Sequence, residues 1–184
     1  MLAAAWALMA AGGAEALTMD AVAQATGVSR QTVYLHFGTR GGLLLALVEH
    51  ADERLGLGDL IATIAAAPTS AARVLQCLRV TARYAPRIHE LAMALEAARR
   101  HDPEVGAAFE DRMARRRAEL RGLVQTAAQD DALAAGWSVD EVTDALWTLG
   151  TPATWQHLVV ERGWSPERYE EFLVQTAQRA FLID

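Results

Sequence analysis

The sequence contains no lysine. All 17 of its basic residues are arginine, and they face 23 acids for a net charge of −6. That balance excludes a blanket binder of nucleic acid or of an anionic membrane surface, either of which needs a net positive face. Cys77 is the only cysteine, so neither an internal disulfide nor a cysteine-based zinc site can form. A reducing cytoplasm is therefore the expected location. No β-branched run alternates with polar residues for more than a few positions, which argues against a sheet. The longest uncharged opening, residues 1–14, is shorter than the roughly 20 apolar residues that a bilayer span requires. It also lacks the basic start of a secretory signal, so no membrane partner is expected.

What is present is helical spacing. Hydrophobic residues make up 52% of the 184, enough for a core and too many for a disordered chain. The size fits one domain, or a small module joined to a larger one. A first helix is expected over 2–11, stopped by Gly12-Gly13. Thr18 caps a second that ends near Gly27, and Ser29 caps a short third reaching Phe37. A longer helix covers 43–55 between Gly41-Gly42 and Gly56, followed by a loose segment rich in Leu, Ile and Ala. Pro68 and Ser70 precede a helix carrying Val74 and Leu78, Pro86 opens the next, and Pro103 opens a long one to about 128. Ser138 caps a helix reaching 162, kinked at Pro152, and Ser165-Pro166 starts the last. The expected fold is all-α, with about nine helices.

The chemistry concentrates between Met19 and Phe37. Two short helices meeting at Gly27 have helix-turn-helix spacing, the glycine supplying the turn's backbone freedom. Ala23 is small where the second helix must come close. Val22, Val28 and Val33 are spaced to bury together with Trp6, Leu8 or Met9. Arg30, Gln31, Thr32, Leu35 and His36 then face outward. Arginine pairs bidentately with guanine and glutamine with adenine in the major groove, so Arg30 and Gln31 are expected to read bases. Thr18, Ser29, Thr32, Tyr34, His36 and Arg40 are expected to position the head on phosphates, through hydroxyl, imidazole and guanidinium donors and free helix N-termini.

The stretch from Thr18 to Leu47 resembles the DNA-binding segment of the tetracycline-repressor (TetR) family of bacterial transcription regulators. The resemblance rests on Thr18, Val22-Ala23, Gly27-Val28-Ser29, Thr32, the Tyr34-x-His36-Phe37 cluster and Leu43-Leu44. The tail from His157 to Leu173 is similar, more weakly, to the C-terminal helices of many members. The resemblance implies an N-terminal helix-turn-helix domain, residues 1–43, and a helical ligand-binding and dimerisation domain, residues 44–184. It implies a homodimer joined through the last two helices, a double-stranded DNA operator and a small-molecule effector, and a repressor in sign. Members usually carry lysine at the start of the fourth helix, where this chain has Arg40. The two following positions, often acidic in the family, are Gly41 and Gly42, each costing about 1 kcal/mol of helix propensity against alanine. Most members begin with a basic arm, whereas this sequence opens with Met1-Leu2-Ala3.

In the larger domain, the helix after Ser138 is apolar on two sides, which suits a helix buried both in its own subunit and against a partner. Tyr84, Met93, Phe109, Met113, Trp147 and Trp155 are candidate walls of a pocket for a lipophilic or aromatic effector. Cys77, in mid-helix, is expected to be a small buried hydrophobe. The arginine run at 115–117 is interleaved with acids and is expected to form a solvated, paired face. His89 and His101 lack carboxylates at ligand spacing, so no metal is expected. No Gly-rich phosphate loop or nucleophile elbow appears, so no cofactor and no enzymatic activity are expected. The alternative is a helical interaction protein of the same fold with weak or lost DNA binding, which the acidic head permits.

Residues 1–50 carry Arg30 and Arg40 against Glu15, Asp20 and Glu49, a net of −1. A DNA-binding head so poor in cations releases few counterions. The logarithm of its DNA affinity should fall only gently with the logarithm of salt concentration; a measured slope of about −8 or steeper would contradict this.

Overall fold

The computed structural model describes residues 1–183, and those residues form ten α-helices, a π-helical segment and no strand. They are α1 (Leu2–Ala16), α2 (Met19–Thr26), α3 (Arg30–Phe37), α4 (Arg40–Arg54) and α5 (Leu57–Ala65). The long α6 (Ser70–Ala98) and α7 (Pro103–Gln129) follow, then α8 (Val139–Leu149), α9 (Pro152–Trp155), the π segment (Gln156–Glu161) and α10 (Pro166–Ala180). The only pairing of β type among these residues is an isolated bridge between Leu133 and Leu182.

The polar caps act as the sequence suggests. The side chains of Thr18, Ser29, Ser138 and Ser165 each accept a backbone N–H of the following first turn. Ser138 and Glu141 satisfy one another's backbone donors as a full capping box. Helix geometry breaks at Gly12-Gly13, as expected, yet the chain winds one more turn to Ala16.

Four expectations are corrected. The fourth helix starts at Arg40, capped by the Thr39 hydroxyl, so Gly41 and Gly42 lie inside its first turn and do not delimit it. The loose segment after Gly56 is helix α5, none of whose residues is fully buried. Pro86 does not begin a helix but lies within the 29 residues of α6. An exposed proline in mid-helix removes one ladder bond that water can replace on the solvent side. The helix capped by Ser138 stops at Leu149, and Pro152 is the first residue of a new helix capped by Thr151. Proline is well suited to that first position, where its missing N–H costs nothing.

The chain forms two compact units, one of residues 1–56 with 90–112, the other of residues 57–89 with 113–184. In the first, Met9, Leu17, Met19, Val22, Val33, Leu43, Leu44, Leu47 and Leu91 are buried. Val22 and Val33 are wholly enclosed, whereas Val28, Trp6 and Leu8 are only half-buried. In the second, Val74, Leu78 and Ala82 of α6 pack with Leu120 and Val124 of α7, Val142 and Leu146 of α8, Trp155, and Tyr169, Leu173 and Ala177 of α10. The Tyr169 hydroxyl donates to the Leu149 carbonyl at 2.7 Å, and its ring meets Trp155 edge-on at 5.0 Å. That burial pushes the phenol's pKa well above its ordinary value.

Gly41 is buried within the first unit, and a Cβ placed on it would collide with Val105 and the Asp102 carboxylate. A Cβ on Gly42 would strike the Phe37 carbonyl oxygen. The helix-propensity penalty of this pair is therefore outweighed by close approach. Gly41→Ala is expected to destabilise the protein by about 1–3 kcal/mol, opposite in sign to the gain that propensity alone predicts. Thermal unfolding decides between the two signs.

Candidate nucleic-acid interface

Helices α2 and α3 form a helix-turn-helix, with Gly27 in the left-handed conformation (φ 69°) ending α2. On α3, Val33 is the one fully buried residue and points into the head's core. Arg30, Gln31, Thr32, Tyr34, Leu35 and His36 are all exposed, so the face expected to read DNA is free of the core. At 100° per residue, Gln31 and Leu35 sit almost opposite Val33 and form the crest of that face.

The polar residues are not idle. Ser29 Oγ accepts the Thr32 N–H at 3.1 Å and lies 2.8 Å from the Thr32 hydroxyl, so both serve the start of α3. Thr18 Oγ1 accepts the Ala21 N–H at 3.1 Å. His36 packs edge-on against Phe37 with ring centroids 4.6 Å apart. Arg30 forms an ion pair with Asp20 of α2 at 2.9 Å, and its Nη2 donates to the Tyr34 hydroxyl at 3.3 Å, with the guanidinium 5.3 Å from the Tyr34 ring centre. The Tyr34 hydroxyl first, and the Asp20 carboxylate second, push its pKa above the ordinary arginine value. Both ion-pair partners are largely exposed, so the pair is an easily broken hold on the side chain.

Arg40, expected to contact phosphate, also bonds within the protein. Its Nε donates to the Leu17 carbonyl at 2.9 Å and its Nη2 to the Ala14 carbonyl at 2.6 Å. One planar guanidinium thus binds two carbonyls at the end of α1 and ties α4 to it. Asp20 is the partner that sequence reasoning missed as part of the site. It stands ten residues before Arg30, and only the crossing of α2 and α3 brings them together.

The effector candidates scatter. Met93 and Phe109 belong to the first unit, and Tyr84, Met113, Trp147 and Trp155 to the second. Tyr84 and Trp155 are buried and the other four half-buried. Arg99 lies over the Phe109 ring at 5.1 Å and Arg116 over Trp147 at 5.6 Å. Two shallow surface grooves of about 380 and 370 Å³ run along α10, and none of the six lines either.

A polar cluster that the sequence did not suggest lies in the second unit. Buried His89 meets the Gln156 side-chain oxygen through Nε2 at 2.7 Å, while its Nδ1 has no partner among the described residues. Gln156 opens the π segment, a geometry that is rare and concentrates at functional sites. With an acceptor opposite, Nε2 is the donor in this contact. Cys77, expected to be buried, is half-buried against the core of the second unit, and desolvation there pushes the thiol up to about 11, leaving almost no thiolate at neutral pH. The arginine-rich stretch of α7 is engaged within the protein, Arg112 with Asp52, Arg117 with Asp144 and Arg121 with Asp140.

Residues 1–47 match the family profile described as bacterial regulatory proteins, tetR family. No protein of curated function matches the chain. Among solved structures, a candidate transcriptional regulator from Saccharomonospora viridis, in complex with choline, superposes with a TM-score of 0.82 at 16% identity. The superposition covers 100% of this chain and 96% of that one. FadR from Bacillus subtilis, in complex with stearoyl-CoA, gives 0.71 at 16% identity over 95% and 94% of the two chains. A candidate TetR-family regulator from Rhodococcus sp. gives 0.70 at 19% identity over 95% and 92%. At such identities the likeness establishes the fold.

Two substitutions separate the roles of the head's arginines. Arg40→Lys keeps the charge but cannot hold two carbonyls with one planar group, so unfolding in urea should show a loss of about 1 kcal/mol. A residue serving only a phosphate would leave stability unchanged. Asp20→Asn releases Arg30 and removes a charge that repels phosphate, and gel-shift titration should show DNA binding several-fold tighter than wild type.

Proposed function

We infer that the chain is a member of the TetR family of bacterial regulatory proteins, because residues 1–47 match that family's profile and the fold is shared with a regulator described as TetR-family over 95% of the chain. From this premise we propose that the protein is a ligand-responsive transcriptional repressor that binds a palindromic operator as a homodimer. The observation that carries the reading is the exposed face of α3. It presents Arg30, Gln31, Thr32, Tyr34 and His36 together, directly behind a capped N-terminus and opposite the buried Val33. Arg30 and Gln31 read bases. Thr18, Ser29, Thr32, Tyr34, His36 and Arg40 fix the head on phosphates, Arg40 while it also secures the helix that supports the head.

Two copies pair through α8 and α10, which places two heads on half-sites about 34–36 Å apart. Support comes from the grooves along α10, where Phe172, Val174 and Thr176 remain partly exposed between charged neighbours. The division of labour falls between a reading domain of residues 1–43 and a helical ligand-binding and dimerisation domain of residues 44–184.

The effector is a small, lipophilic or aromatic molecule taken up by the larger domain. Within the second unit, Tyr84, Met113, Trp147 and Trp155 supply apolar walls and His89 a polar partner, whereas Met93 and Phe109, the other two candidates, belong to the first unit. The signal has a physical route inside the first unit. There α4 is held to the corner between α6 and α7 by Thr39 with Asp102 at 3.3 Å and by Asp52 with both terminal nitrogens of Arg112, at 2.8 and 3.0 Å. An effector that favours a different setting of that corner moves α4 and with it the reading head, provided it binds the two settings unequally.

Gel shifts against DNA upstream of the protein's own gene test the reading. Arg30→Ala and Tyr34→Ala should each abolish or strongly weaken a specific shift at moderate salt. Absence of any shift by the wild-type protein at low salt would leave the interaction-protein alternative in its place.

A further inference from the structure

Leu35 is the most exposed of the large apolar side chains named on this surface, at 80%. It is also set in the middle of the reading face. It stands one turn beyond Gln31 on the crest of α3, opposite Val33, with exposed Thr32 and Tyr34 beside it. A leucine left in water at that place costs nothing in the free protein, but it carries one kind of recognition, contact with an apolar group in the groove. The major groove offers a single such group on standard bases, the C5-methyl of thymine. The head's other resources raise the importance of that contact, because Arg30 is shared with Asp20 and Tyr34 and Arg40 is committed to the Ala14 and Leu17 carbonyls.

We propose that Leu35 is a specificity-determining residue that packs against a thymine methyl in each operator half-site. The spacing sets where that thymine lies. Gln31 and Leu35 are four residues apart, about 6 Å along the helix, so the thymine stands within about two base pairs of the base that Gln31 reads. The inference rests on the proposed DNA-binding reading and adds to it a base, a group and a side chain.

The experiment begins with a duplex selected from a random pool by the full-length protein. Each thymine of the half-site is then replaced in turn by deoxyuridine, which deletes the methyl and nothing else. Wild type should lose about fourfold in affinity at one symmetric position when one half-site is changed, and about 15-fold when both are. Leu35→Ala should bind the thymine and uracil duplexes equally, and Leu35→Met should restore discrimination at the same position. Circular dichroism melts of the variants should match wild type, since the side chain is free of the core. Wild-type affinity indifferent to uracil at every thymine, or full discrimination surviving in Leu35→Ala, would overturn the assignment while leaving DNA binding intact. Failure to select any duplex would instead overturn the DNA-binding reading on which it rests.

Discussion

The first turn of α4 must be almost bare, and the reading head depends on that constraint. Gly41 and Gly42 leave no side chain between this turn and its neighbours, so Val105 and Asp102 can lie against one side and the Phe37 carbonyl against the other. Once the turn is seated, Thr39 can cap it and still reach Asp102, and Arg40 can extend back to the end of α1. Leu43, Leu44 and Leu47 then follow at helical spacing into the core shared with Val22 and Val33. A bulkier first turn would push α4 away from all of these at once. The two glycines that look like a weakness of propensity are the condition for close packing.

The second organising fact is the economy of positive charge. The head's two arginines both have protein partners, and those of α7 named above are likewise matched with acids. Such pairing leaves little net field to draw in nucleic acid of any sequence. On the proposed reading, recognition falls to Arg30, once it leaves its exposed partner Asp20, together with hydrogen bonding by neutral groups and apolar contact. These interactions are short-ranged and depend on the correct base being present. A head built this way would give up general affinity and keep selectivity, because its attraction to non-cognate phosphate backbone would be small from the outset.

Much of this was legible in the sequence. The all-helical fold, the caps at Thr18, Ser29, Ser138 and Ser165, the turn at Gly27 and the outward set on α3 follow from residue type and spacing. What could not be read were effects that arise between segments distant in sequence. Propensity assigns Gly41-Gly42 to a helix boundary because Val105 and Asp102, which need the smallness of Gly41, stand some 60 positions later. Pro86 reads as a helix start because the pattern does not tell which prolines face solvent in an uninterrupted helix. Arg40 suggests a phosphate ligand because nothing local shows that two carbonyls 23 and 26 residues earlier will claim it. The Arg30–Asp20 pair and the His89–Gln156 contact are hidden for the same reason. The six aromatic and methionine candidates are ambiguous by nature, since core packing and ligand walls demand the same side chains.

Weak electrostatics and a tight clamp on α4 bear on one another. A head held to DNA by many ion pairs would need a large coupling free energy to be released, whereas allosteric coupling typically supplies only about 1–3 kcal/mol, or 5- to 150-fold. If the head binds as proposed, through a few contacts placed in two half-sites, it loses most of its specific binding when those placements shift slightly, because hydrogen bonds and apolar contacts fall away over fractions of an ångström. The rigid connection through Thr39, Gly41 and the Asp52–Arg112 pair can deliver such a shift, since a close-packed joint moves as a body and does not yield gradually. Sparse charge makes modest coupling sufficient, and the glycine-seated helix makes that coupling available.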